Sequence, residues 1–263
     1  MEKGKVAYRL DRFSIEELQE MASIFNLTAK IQGLSVANVQ EAKVRPGWLT
    51  PYLYAYDHLT NKRWSYWANI LHKGSIVGHD PIPQIHFYGS PLVSECAHAT
   101  AMLKKATGHV ESTPERFADF LLWALGNVGD VPNLNHLSDS LFKHYYTYFD
   151  IFLVLDRPAD YLSWVLSEQL SGNTKSKTAY FPTPTHVATL MTELIRSEKP
   201  DVAEAAYDPC VGCGSLLLPQ SNYRFRASGN DINPVAVKFC KIQFAWYAPW
   251  FYLPGENIQG LDD

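Results

Sequence analysis

Two short blocks of the chain combine residue types that can hold a ligand. In the first, Tyr207-Asp-Pro-Cys-Val-Gly-Cys-Gly-Ser215, a β-like run from Val202 to Tyr207 ends at the carboxylate of Asp208 and passes into a turn containing Gly212 and Gly214. Glycines there let the backbone approach a ligand closely, and a carboxylate at a strand end accepts hydrogen bonds from an amine or hydroxyl. A Gly-x-Gly after a strand is equally what a tight turn produces, so this block alone leaves both readings open. The second block, Gly229-Asn-Asp-Ile-Asn-Pro234, closes a second short strand, Ala227 to Ile232. An acidic residue at the end of the next strand, about 20 residues on, is where the ribose hydroxyls of a nucleotide-like ligand are held. Together the blocks describe an adenosyl-cofactor crevice. A third block, Tyr180-Phe-Pro-Thr-Pro184, reads as the aromatic lining of the same pocket, or as a helix start with Thr183 as cap and Pro184 in the first position.

The elements that must position these blocks follow from periodicity and caps. Pro184 to Arg196 and Pro234 to Trp246 read as helices flanking the two strands, which gives residues 173–263 an α/β texture. The preceding residues, 1–172, read as largely helical. Ser14-Ile-Glu-Glu17 is a capping box, Thr113-Pro114-Glu115 caps a run that stops near Gly126, and Ser138 opens an apolar run that ends near Pro158. Another run, Ala159 to Leu170, precedes a polar linker over residues 171–180. Residues 30–90 mix turn formers with aromatics and admit short strands, short helices or loops.

The ordered blocks resemble the cofactor half of S-adenosylmethionine-dependent N6-adenine DNA methyltransferases, nearest to the modification subunit of type I restriction systems and its plasmid and phage relatives. The resemblance covers about residues 155–260 and rests on Phe-Pro-Thr-Pro (181–184), Asp-Pro-Cys-Val-Gly-Cys-Gly (208–214) and Gly-Asn-Asp-Ile-Asn-Pro (229–234). It implies a Rossmann-like α/β unit with an incomplete sheet, S-adenosylmethionine as cofactor and DNA as partner. It also implies that Phe181, Thr183 and Pro184 flank the cofactor. Asp208, Pro209, Cys210, Gly212 and Gly214 would form its loop, and Asp231, Ile232 and Asn233 would meet its ribose and adenine. Asp262 sits about where the family keeps an acid near the adenine amino group. The family's loop has cysteine and serine where this chain has Val211 and Cys213, both small changes.

The family's catalytic loop, Asn or Asp followed by Pro-Pro and an aromatic, should follow these blocks, and no Asn-Pro-Pro or Asp-Pro-Pro occurs in the 263 residues. In a permuted order the candidate is Asp80-Pro-Ile-Pro83, which also reads as a surface turn. Two function classes follow. One is an adenine-specific DNA methyltransferase; the other is a catalytically silent methyltransferase-like protein acting on a restriction or phage-defence partner, or on a second copy of itself.

Composition narrows the remaining classes. The net charge of −4 offers no overall field for phosphate backbones, so contact with DNA needs a local patch or a partner. Four cysteines are too few for a disulfide scaffold, and Cys210-Val-Gly-Cys213 lacks a second ligand pair for zinc. The N-terminal residues lack a signal-peptide core and no apolar run is long enough to span a membrane, so a cytoplasmic protein is expected. The aromatic run Phe244 to Tyr252 suits helix packing, base stacking or a protein interface.

Overall fold

A computed structural model describes residues 12–169, 181–195 and 202–261. The 172/173 domain boundary, the polar linker and Asp262 lie outside these residues. The capping box forms as read: Glu17 N donates to Ser14 Oγ at 3.1 Å and Ser14 N to Glu17 Oε2 at 2.8 Å, opening helix α1 (Ile15–Ile31). Residues 30–90 resolve into α2 (Val39–Val44), α3 (Thr50–Leu59) and α4 (Arg63–Lys73), followed by an extended stretch that buries Ile82, Ile85 and Phe87. Helix α5 (Ala97–Ala106) precedes α6 (Pro114–Ala124), which has Thr113 as cap and buries nearly its whole surface. The run opened by Ser138 is two helices, α7 (Asp139–Tyr148) and α8 (Ile151–Asp156). The break falls at Asp150, whose carboxylate accepts from Phe152 N at 3.0 Å and starts a new helix. Helix α9 (Tyr161–Gln169) completes this part.

The remaining residues form α10 (Thr185–Ile195), β1 (Ala205–Asp208), α11 (Leu217–Gln220), β2 (Arg226–Gly229), α12 (Pro234–Tyr247) and α13 (Pro249–Tyr252). The strands run parallel, with Ala205 opposite Arg226 and Asp208 opposite Gly229. Among the described residues this pair is the whole sheet, so the fold is mixed α/β with a much larger helical share. No helix of the described residues is long and apolar enough to cross a membrane.

One buried cluster draws side chains from both parts: Phe117, Phe120 and Leu121 of α6, Tyr161 and Leu166 of α9, Val211 and Cys213 after β1, and Phe239, Ile242 and Trp246 of α12. The aromatic run near the chain's end serves this packing, since Trp246, Tyr247 and Trp250 are fully buried. Their ring area supplies a few kcal/mol per side chain, roughly 1.5–3 for a large apolar group.

Arg63 is fully buried at the seam between the two parts. Its Nε donates to Pro83 O at 2.8 Å, and its Nη1 to Ser221 Oγ at 2.7 Å and Tyr247 O at 2.6 Å; Nη2 donates to Asn222 Oδ1. The guanidinium also lies 4.9 Å from the Trp250 ring centroid. Next to it, Asp57 is fully buried, with Oδ2 accepting from Trp64 N at 2.7 Å. Burial pushes the Asp57 carboxyl up to about 7, against the pull of the Trp64 N–H and the Arg63 charge.

Two outcomes follow. Arg63→Ala strips the donors from four acceptors at once and should lower unfolding stability in urea by about 3–5 kcal/mol; a loss below about 1 kcal/mol would remove Arg63 from this role. Asp57 holds its proton in the folded state above the pH at which the unfolded chain releases it, so its contribution falls as pH rises from about 4 to about 7. Asp57→Asn should flatten that slope and raise the melting temperature at pH 8 relative to the unmodified chain.

Candidate functional site

β1 delivers Asp208 to the edge of a cavity of about 250 Å³. Asp208 Oδ1 accepts from Cys210 N at 2.9 Å, which turns the chain sharply out of the strand. The turn then needs residues tolerant of left-handed backbone. Gly214 has φ +96°, and a Cβ there would lie 3.0 Å from Cys240 Sγ and 3.1 Å from the Phe244 ring. The strand β2 presses on the same loop: a Cβ on Gly229 would meet Val211 Cβ at 2.8 Å and Asp208 O at 2.9 Å. Glycine at 229 therefore allows β2 and the loop to touch.

Asp231, just past β2, ties the loop to the next helix. Its Oδ2 accepts from Gly212 N at 2.8 Å and its Oδ1 from Asn233 N at 2.8 Å. Asn233 in turn caps α12, its Oδ1 accepting from Val235 N at 3.0 Å and Ala236 N at 3.3 Å. Each Asp231 oxygen keeps a lone pair free for a further donor.

Behind the loop lies a buried polar network. Asp160 accepts from Ser215 Oγ at 2.5 Å and from Gln243 Nε2 at 2.7 Å. Gln243 Nε2 also donates to Cys213 O at 2.8 Å, and Gln243 Oε1 accepts from Leu162 N at 3.2 Å. Ser163 Oγ lies 3.1 Å from Ser215 Oγ. Burial pushes the Asp160 carboxyl above its usual range, against the hydrogen bonds from Ser215 and Gln243. The network fixes both the carbonyl and the hydroxyl of the loop's last turn.

Seven of the residues singled out from the sequence line this cavity: Phe181, Thr183, Asp208, Cys210, Gly212, Asp231 and Ile232. Pro184, Pro209, Gly214 and Asn233 stand next to lining residues in the chain, and do not line it. Asp80 is elsewhere, in the loop after α4, where its carbonyl accepts from Tyr66 OH at 2.7 Å. Sequence reasoning missed Ser215 and Leu216 in the lining and Asp160 and Gln243 behind it. Ser215 follows Gly214 directly, a legible signal; Asp160 and Gln243 lie 83 residues apart, and no local pattern joins them.

The lining carries two carboxylates, Asp208 and Asp231, and no lysine or arginine. It therefore suits a ligand with positive charge and hydroxyl donors and repels phosphate. At the rim Phe181 and Ile232 are 78% and 92% exposed, leaving apolar surface for a flat ring.

Residues 156–245 match the model of the N-6 DNA Methylase family. The matched segment contains the loop, Asp231 and both members of the Asp160–Gln243 network. No curated protein and no solved structure matches the chain.

Gly229→Ala tests the contact between strand and loop. The added methyl meets backbone as well as Val211, so the loop must shift; a loss of about 1–3 kcal/mol is expected in urea unfolding. An unchanged midpoint would show that the loop yields freely.

Proposed function

We propose that the chain binds S-adenosylmethionine in the cavity between β1, β2 and residues 181–183, and transfers its methyl group to the N6 amino group of adenine in DNA. The observation that carries this reading is the lining itself: two carboxylates, no cation and an apolar rim, inside the segment that matches an adenine-methylating family. We read β1, α11 and β2 as the first part of a Rossmann-like unit, residues 173–263, held by a helical region, residues 1–172, in a cytoplasmic protein.

S-adenosylmethionine, when bound, supplies a methyl group activated by a positive sulfonium. The residues present fit that group. Asp208 would accept from its ammonium, and Asp231 from its ribose hydroxyls with the lone pairs left by Gly212 and Asn233. Phe181 and Ile232 would cover the adenine ring and exclude water from it. The Asp160–Gln243 network would hold the loop before the ligand arrives, so that little ordering remains to oppose binding. Methyl transfer itself would need mainly alignment of the acceptor amine with the methyl group.

Calorimetric titration with S-adenosylmethionine tests the first half. Saturable binding is expected, with Asp231→Ala weakening it at least about tenfold, the equivalent of about 1.4 kcal/mol. No binding by the unmodified chain would sink the cofactor reading. Transfer of labelled methyl to adenine-containing DNA tests the second half, with Asp80→Ala as control. A rate equal to the protein-free blank, alongside intact binding, would remove the enzyme and leave a cofactor-binding protein.

A further inference from the structure

β1 pairs with β2 on one side and with no strand on the other among the described residues. Hydrogen bonding shows which groups face the open side. Asn230 N donates to Asp208 O at 3.1 Å, so the Asp208 carbonyl faces β2. Along a strand, the N–H and C=O of one residue point to the same side and those of its neighbours to the other. Ala206 therefore also faces β2, while Ala205 and Tyr207 turn their N–H and C=O outward.

The outward edge is the floor of a groove of about 290 Å³. All four β1 residues line it, which alternating side chains do only where a cavity runs along the strand's edge. Its walls are Met191 and Ile195 of α10 on one side and Leu216 and Leu217 on the other. Tyr207 is 62% exposed, and Leu194 of the neighbouring helix is 74% exposed. Parallel strands are ordinarily covered on both faces, and an isolated two-stranded ribbon is marginal by itself.

We propose that this edge is a docking site for one extended strand of a partner polypeptide, apolar in alternation and carrying a lysine or arginine that lies beside Asp208. A repeating row of N–H and C=O groups is matched by the same groups on another extended chain, as in strand addition to an open sheet. A second copy does not fit, because its own β1 edge lies recessed between its own α10 and α11. Two recessed edges meet at their walls before the backbones reach the strand spacing of about 4.8 Å. The charge preference follows from the groove's ends. Arg224 is taken by Glu204, whereas Asp208 has no cationic partner among the described residues. Asp208 lines both this groove and the 250 Å³ cavity, so the added strand would border the ligand site. The inference stands on the geometry of β1 and holds whatever the cavity binds.

The test uses the full chain and two fluorescein-labelled heptapeptides, Val-Thr-Val-Thr-Val flanked by lysines or by glutamates, followed by fluorescence anisotropy. Saturable binding of the lysine peptide is expected, with the glutamate peptide at least tenfold weaker. Tyr207→Pro removes the outward N–H and leaves the bonds to β2, so it should weaken binding at least tenfold while circular dichroism and melting stay unchanged. Ile195→Lys, at an exposed wall position, should weaken it similarly without touching the strand. Equal binding by Tyr207→Pro, equal binding of both peptides, or no saturable binding would overturn the proposal. So would a dimer in light scattering that Tyr207→Pro dissolves, because the edge would then belong to a second copy.

Discussion

The buried guanidinium of Arg63 is the constraint on which the two parts of the molecule most depend. A charge removed from water is costly unless its donors are all engaged. Here they reach Pro83 in the extended stretch, Ser221 and Asn222 after α11, and the Tyr247 carbonyl at the end of α12. Four separate places in the chain must therefore arrive together. Trp64, the next residue, adds a bond from its ring N–H to Ala245 O at 2.8 Å, on the same turn of α12. Apolar packing would tolerate small slides between α4 and α12, whereas a planar fork of donors does not.

Helix α12 carries this constraint toward the cavity. Its last carbonyl is held by Arg63, its middle by Gln243, and its first turn by the Asn233 cap. Gln243 reaches the loop through Cys213 O, and Asp231 reaches it through Gly212 N. The loop after β1 is thus held from behind and from the side by polar groups of one helix and its lead-in. A pocket held in this way is formed before any ligand enters, which is what selective binding of a small polar molecule requires.

The charge pattern around the cavity separates it from sites that share its strand–glycine-turn layout. A turn that cradles phosphate exposes amide N–H groups with a cation nearby. Here the Gly212 N–H is already given to Asp231, and both charged groups of the lining are negative. The same backbone plan serves a cationic ligand because the second strand ends in an acid that occupies the loop's donor.

Much of the candidate site was legible in the sequence, because its parts are local. Asp208, Gly212 and Gly214 sit within seven residues, and Asp231 ends the next strand, so spacing alone brings them to one crevice. Caps also read directly: Ser14, Thr113 and Asn233 begin helices because their side chains satisfy N–H groups a few residues away. Residues 30–90 did not read, because Trp48, Trp64 and Trp67 suit a strand or a helix equally until they meet α6, α12 and α13. The break at Asp150 was hidden for a related reason: an apolar run shows periodicity, and a cap inside it competes only once tertiary packing bends the chain. The sequence by itself determined the residue types of the loop, the acids and the rim. Only the tertiary structure decided that Arg63 would be buried, that Asp160 would meet Gln243, and that β1 would keep an open edge. Those outcomes depend on contacts between residues far apart in the chain, which local spacing does not encode.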